Sequence, residues 1–467
     1  MKRRDFLKTA GFTATSFYVV PRHVLGGSGY TAPGDKLNVA AIGAGGKGSQ
    51  NLERYFMNGL DNVVALCDVD DRMAAGSRKK WPKAPYYRDF REMLDKEDKN
   101  IDAVIISSPD HMHAVQAMEC MRRGKHVYVE KPLTHDIYEA RMLTEAAEKY
   151  KLVTQMGNQG SSGDSTRYVE KWIQSGVIGN VHTVHVWTNR PVWPQGIPTP
   201  EGKFEIPAEL DWDLWLGTAP KRPFNPIYVP ASWRGWVDFG TGSLGDMGCH
   251  FIDVPFRALK LGDPESVQCS VGQVFTGFFE EAFYTDSYPP SSKIHLQFPA
   301  RENMPPLEMI WYDGGIKPKR PDELLPDEPL GHWDGGMIFE GTNGKLMAGL
   351  FGNDPTLLPT SRMKEEKLPE PDKPFVEQGD VGHQQQWAKA CKEGHGAYTS
   401  SPFSEAGPLT ETVIMGNLAV RSYNLKKGDD FPGRITLLWD GKNMKITNFQ
   451  EANQFVRREY RGNWKLS

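Results

Sequence analysis

The chain has 467 residues with 55 basic and 59 acidic side chains, a net charge of −4. That length builds two domains with full cores, and a near-balanced charge without a basic run argues against a nucleic-acid partner. After the N-terminal segment no stretch is long and apolar enough to span a bilayer. The chain opens Met1-Lys2-Arg3-Arg4-Asp5-Phe6-Leu7-Lys8 and continues mildly apolar to Val20. This reads as a twin-arginine signal, with residues 1–35 as signal and linker. The expectation is export to the periplasm in the folded state, with the twin-arginine translocase as a transient partner. No clean Ala-x-Ala site precedes the body of the chain, so an uncleaved signal would leave the protein membrane-tethered.

The first body strand, Leu37-Asn38-Val39-Ala40-Ala41-Ile42, runs into Gly43-Ala44-Gly45-Gly46-Lys47-Gly48. A second apolar run, Val63–Cys67, ends at Asp68, 20 residues after Gly48. Strand, Gly-x-Gly-x-x-Gly turn, helix and acid in this order form the dinucleotide-binding fingerprint of a Rossmann sheet. Gly43 permits the tight turn, Gly45 lets backbone approach the pyrophosphate, and Gly48 allows close helix–strand packing. The helix N-terminus favours the phosphates. A carboxylate at Asp68 accepts from ribose hydroxyls and repels a 2′-phosphate, so NAD is favoured over NADP; Arg72, four residues on, moderates that preference.

Two more strands follow. Ile101–Ile106 leads into Ser107-Ser108-Pro109-Asp110-His111-Met112-His113, and His126–Val129 leads into Glu130-Lys131-Pro132. Ligands of open α/β sheets gather outside the carboxyl ends of the strands. Ser108, Pro109, His113 and Glu130 are therefore assigned to the cofactor crevice. Asp110 reads as the N-cap of a helix from Met112 to Arg123 ahead of any catalytic role. Helix starts are expected near Lys47, Arg72, Met112, Asp136 and Asp164. Strands are expected near 181–187, 267–275, 293–298, 307–311 and 336–348, and late helices near Gly382–Lys392 and Pro402–Lys426.

No metal site is expected. His111 and His113 lack a third ligand, and His182 and His185 fall on opposite faces of a strand. The five cysteines form no framework and are expected as free thiols, with Cys67 in the core. Between the halves lies an aromatic, basic stretch that includes Arg190, Trp193, Trp212, Trp215, Trp233, Arg234 and Trp236. Indole faces stack on sugar rings, and Arg and Asn bind hydroxyls. Asn158, Arg190, Trp193 and Arg234 are the candidate substrate contacts; the alternative is a Trp-rich core.

The glycine turn, the Ser-Pro-Asp-His-x-His segment and Glu130-Lys131-Pro132 together resemble the Gfo/Idh/MocA oxidoreductases, relatives of glucose–fructose oxidoreductase and inositol dehydrogenase. Gly157-Asn158-Gln159-Gly160, Trp212-Asp213-Leu214-Trp215-Leu216-Gly217 and Gly242 to His250 are similar to the exported branch of that family. The resemblance implies a Rossmann domain, here 36–160, followed by an α/β domain with an open-faced, mostly antiparallel sheet, here 161–467. It implies that Lys131, Asp246 and His250 work on a substrate hydroxyl, and by analogy a homo-oligomer. Histidine titrates near neutrality and suits the acid/base task at His250. Lys131 would hydrogen-bond the same oxygen and is a rival base. Asp246 would orient the imidazole or bind a second hydroxyl, or else cap a helix spanning Met247–Leu261.

The resulting expectation is an NAD-dependent oxidoreductase acting on a sugar, glycoside or cyclitol hydroxyl. An exported protein has no NAD pool to exchange with, so the cofactor is expected to be tightly held and recycled in place. One alternative is an NAD-dependent glycosidase or lyase working through a transient 3-keto sugar. The other is a non-catalytic sugar-binding protein on the same fold, which intact Lys131, Asp246 and His250 disfavour.

Overall fold

The computed structural model describes residues 36–56, 59 and 61–466; the twin-arginine segment lies outside them. The first sheet contains β1 (Asn38–Ile42), β2 (Asn62–Cys67), β3 (Tyr86–Tyr87), β4 (Ala103–Ile106), β5 (His126–Glu130) and β6 (Thr154–Gly157). All six strands are parallel, in the order β3-β2-β1-β4-β5-β6. The central strands are buried on both faces, which is why they read as unbroken apolar runs. Between strands lie α1 (Gly46–Phe56), α2 (Asp71–Lys80), α3 (Phe90–Glu97), α4 (Asp110–Arg122) and α5 (Ile137–Lys149). Helix α5 starts with a reciprocal capping box between Asp136 and Glu139. The strand order reverses between β1 and β4, and the crevice outside their carboxyl ends is the place for a dinucleotide.

The second part begins with α6 (Asp164–Gln174) and β7 (Val181–Thr188), then α7 (Trp212–Leu216), α8 (Gly242–Phe251) and α9 (Asp253–Ala258). It continues with β8 (Ser266–Val271), the small hairpin β9 (Phe275–Gly277) and β10 (Glu280–Glu281), β11 (Ser292–Phe298) and β12 (Leu307–Tyr312). Then come β13 (Gly335–Gly341), β14 (Gly344–Ala348), β15 (Thr356–Leu358), α10 (Arg362–Glu365), α11 (His383–Glu393) and α12 (Phe403–Tyr423). The last strands are β16 (Leu437–Asp440) and β17 (Lys445–Ile446). Nine strands form one sheet in the order β15-β14-β13-β7-β12-β11-β8-β16-β17. Only the β7–β12 pair is parallel; the other pairs are antiparallel. Helix α12 packs against β8, β11, α5 and α8 and is buried nearly all round.

Three local expectations are corrected. The run 336–348 is a hairpin, because the chain turns between Gly341 and Gly344, the latter at φ +128°. The expected Met247–Leu261 helix starts earlier, at Gly242, and breaks at Ile252, where Pro255 has no N–H for the Phe251 carbonyl. Asp246 is thus mid-helix and caps nothing. Helix α4 is entered through Pro109, with Asp110 already helical; the Asp110 carboxylate instead accepts from Thr241 Oγ1 at 2.6 Å.

The C-terminal tail packs back on both domains. Val456 accepts from the Tyr138 amide, and Arg461 N donates to Thr218 at 3.1 Å. All five cysteines are free, and Cys67 is buried.

Candidate active site

The three glycines are sterically required. A Cβ on Gly48 would lie 1.8 Å from the Gly43 carbonyl oxygen. Gly43 sits at φ +74°, and a Cβ there would meet the Ser107–Ser108 peptide at 2.7 Å. At Gly45 the close neighbour is Met73 of α2, 2.6 Å from the missing Cβ. Gly45 therefore admits α2 as well as leaving backbone exposed to a phosphate.

Asp68 accepts from Gly45 N at 2.9 Å and from Asp70 N at 3.0 Å. Burial pushes its carboxyl up to about 6 against those hydrogen bonds. Arg72 cannot offset this acid for a 2′-phosphate, since both its Nε and Nη2 bind Asp70, at 2.9 and 2.6 Å. A cavity of about 130 Å³ opens beside Asp68, walled by Met112, Trp215, Pro230 and Trp464 among others. Its apolar walls, the glycine cradle and the acid fit an adenosine with a free ribose diol, so the donor set suits NAD. Asp68→Asn should weaken NAD binding about 10- to 100-fold, the range for a lost charge-assisted hydrogen bond, and narrow the preference over NADP. In the wild type, NAD affinity should fall as pH drops through about 6, because protonation removes the charged acceptor; titration of apo-protein at several pH values measures both.

Of the other expected cofactor residues, Ser108 and Pro109 line this cavity. Ser108 Oγ donates to Gln116 at 2.6 Å. His113 is fully enclosed, with its ring nitrogens 2.8 and 2.9 Å from the carbonyls of Ser108 and Pro132. It ties the two post-strand loops together. Glu130 is buried and accepts from Asn51 at 2.9 Å and Gln159 at 3.2 Å, with Lys47 Nζ at 4.0 Å. His111, too, is spent on backbone carbonyls, of Phe239 and Trp215.

At the other end of the crevice, Lys131 Nζ donates to Asp246 Oδ1 at 2.7 Å and to the Asp246 carbonyl at 2.8 Å. Arg234 Nε binds the same Oδ1 at 2.9 Å. Burial opposes the charge on Asp246, but Lys131 and Arg234 outweigh it and hold the carboxyl well below its usual range. An ammonium has three donors, so Lys131 keeps one for a ligand. His250 lies one turn after Asp246 on α8. Burial, reinforced by the Lys131 charge, pushes its imidazole well below the ordinary range, so it rests neutral. Asn158 follows Gly157, the register partner of Glu130, and so stands beside Lys131 at the end of β6. Among the described residues, both polar atoms of its buried amide lack partners, as does His250 Nδ1.

Of the remaining substrate candidates, Arg190 pairs with Asp334 at 3.0 Å. Trp193 donates to Gln195 at 2.9 Å. Trp193 and Trp233 flank the Arg234 guanidinium at 6.0 and 4.3 Å. Trp212, Trp215, Trp233 and Trp236 belong to one buried cluster with Phe239, so for them the Trp-rich core is the outcome. Sequence reasoning missed Phe351, which packs on His250, and Trp464, at the adenosine end. It also missed Asn51 and Gln159 behind Glu130. Gln159 lies in the Gly157–Gly160 motif without being singled out, and no local pattern marks the others.

Models of the oxidoreductase family match in tandem: its NAD-binding Rossmann fold over residues 37–158, and its C-terminal α/β domain over residues 163–272. The chain belongs to the Gfo/Idh/MocA oxidoreductase family. Among curated relatives, a glycosyl hydrolase family 109 protein of Shewanella pealeana is 29% identical over 205 residues, covering 39% of this chain and 44% of that protein. An α-N-acetylgalactosaminidase of Shewanella oneidensis is 30% identical over 204 residues, covering 38% and 44%. The chain thus spans under half the length of these relatives. The WlbA dehydrogenase of Bordetella pertussis, solved with NADH and UDP-GlcNAcA, superposes with a TM-score of 0.56 at 16% identity, over 83% of this chain and 97% of that one. A levoglucosan dehydrogenase solved with NADH and levoglucosan gives a TM-score of 0.54 at 17% identity, over 82% and 96%. At these identities the structural likeness carries the fold.

Proposed function

We propose that the protein is an NAD-dependent oxidoreductase that removes hydride from a hydroxyl-bearing carbon of a sugar, glycoside or cyclitol. The observation that carries this reading is the Lys131–Asp246 ion pair beside a neutral His250 at the nicotinamide end of a family Rossmann crevice. NAD, when bound, supplies the hydride acceptor. The spare N–H of Lys131 donates to the substrate hydroxyl oxygen and stabilises charge growing there. His250 takes the hydroxyl proton in oxidation and returns it in reduction. Asp246 holds Lys131 and Arg234 in place, and Asn158 offers its free amide to a neighbouring polar group.

The cofactor is held rather than exchanged. The backbone of 209–211 clips onto Val69–Asp71 through Asp71 N to Glu209 O and Asp211 N to Val69 O, at 3.0 and 2.9 Å. Arg461 of the tail binds Asp213 at 2.6 Å, and Trp464 stacks on Phe90 with centroids 6.0 Å apart. Val69, Asp70, Phe90 and Trp464 of these segments line the adenosine cavity. A captive cofactor agrees with export of the folded, loaded protein through the twin-arginine pathway, and with a homo-oligomer by family analogy.

The named activities of the curated relatives favour a second reading, glycoside cleavage through a 3-keto sugar. Oxidation at C3 acidifies the C2 hydrogen and permits loss of the anomeric substituent. Incubation with glycosides in deuterium oxide separates the two. A simple oxidoreductase should leave the aglycone attached and C2 unlabelled; released aglycone with deuterium at C2 would establish the glycosidase.

A further inference from the structure

We infer that Phe351 is the positioning residue of the acid/base His250, a task expected of Asp246. The inference rests on the oxidoreductase reading above. Asp246 is engaged by Lys131 and Arg234. The buried Nδ1 of His250 has no hydrogen-bond partner among the described residues. What meets the imidazole is the Phe351 ring, edge to face, with centroids 5.1 Å apart and planes at 70°.

Phe351 is delivered by a turn that holds it in an unfavourable backbone state. Its φ is +60° with ψ 20°, the left-handed region that non-glycine residues avoid. Such conformations persist where surrounding structure over-determines them. Here Gly349 N donates to Asn353 O at 2.8 Å, and Thr166 Oγ1 of α6 donates to the Phe351 carbonyl at 3.0 Å. The ring fills the space above Gly160, where a Cβ would come within 2.2 Å of it. Gly160 belongs to the turn after β6, whereas Phe351 follows β14. The ring therefore bridges the two domains at the site, fixing the imidazole by packing and keeping water off it.

Phe351→Ala, Phe351→Leu and Phe351→Tyr test this, with hydride transfer followed across pH and carbethoxylation of His250 by diethyl pyrocarbonate followed by mass spectrometry. For the alanine variant we expect kcat to fall about 100-fold, the scale of a misplaced catalytic group, with KM little changed. The acid limb of oxidation should move to higher pH, since a wetter imidazole protonates more readily, and His250 should label faster. The charges that reach His250, namely Lys131, Lys47, Arg190 and Asp246, are unaltered in these variants. Tyrosine should restore most of the rate, and leucine should fall between. Wild-type pH limb and labelling rate in the alanine variant would overturn the inference; should that variant misfold, wild-type values in the leucine variant would do so. A wild type without sugar-dependent reduction would sink the oxidoreductase reading, while the labelling comparison would still decide the packing claim.

Discussion

Lys131→Met should lower the rate of hydride transfer by about 10²- to 10⁴-fold while the protein keeps its fold and its nucleotide. The magnitude is that of losing a group that acts on the reacting oxygen. Methionine preserves the length and apolar stem of a side chain that is only 12% exposed. Asp246 retains Arg234 at 2.9 Å, so no unpaired buried carboxylate is created. Asp68, expected to hold the ribose, lies at the other end of the crevice and is untouched. Stopped-flow reduction with saturating sugar, beside nucleotide content by mass spectrometry, reads both effects. A variant that oxidises sugar at near-wild-type rate would remove Lys131 from the mechanism; one that loses its nucleotide would make Lys131 a structural residue.

Arg458→Met should destabilise the fold by about 3–5 kcal/mol, the usual cost of stranding one member of a buried ion pair. Arg458 Nη2 binds Glu139 Oε1 at 2.8 Å and Nε lies at 3.1 Å, with the Glu139 side chain 1% exposed. Tyr460 OH adds 2.6 Å to the same oxygen. Asp136 stands close by; burial first, then the Glu139 charge, push its carboxyl up to about 8 despite Arg458. A carboxyl whose folded value is raised stabilises the fold at low pH and loses that contribution as pH rises through the folded value. The loss of Arg458 should therefore cost more at pH 8 than at pH 5, where one of the two carboxyls can hold a proton. Urea unfolding at both pH values measures it, and adding Glu139→Gln should recover much of the loss. Equal stability of wild type and variant at pH 8 would mean that the tail is not anchored through this pair.

The parts of the site legible in the sequence are those set by local chain geometry. A tight turn after β1, a close strand–helix crossing and an acid at the end of β2 each demand a residue type at a fixed offset. Lys131 and His250 were reached through the family resemblance, and the structure joins Lys131 to Asp246 across 115 residues. What stayed hidden is what tertiary folding alone delivers. Phe351 itself takes a left-handed backbone position, beside the left-handed Gly352, where the residue type gives no sign of it. Trp464 and Arg458 come from a tail that folds back on α3 to α5. Asp110 looked like a cap because its residue type and position fit, but Pro109 takes that place and Thr241 claims the carboxylate. The tryptophans were ambiguous by nature, since an indole suits both a sugar platform and a core, and most of these went to the core.

The most direct test is to purify the protein without added cofactor, identify any nucleotide released on denaturation, and then add sugars and glycosides to the native protein while recording absorbance at about 340 nm, where reduced nicotinamide absorbs. The account predicts stoichiometric NAD that is reduced in place by a carbohydrate and stays with the protein through gel filtration, with no reduction in Lys131→Met. A protein that carries no nucleotide and shows no sugar-dependent reduction when NAD is supplied would contradict it and point to a binding protein on this fold.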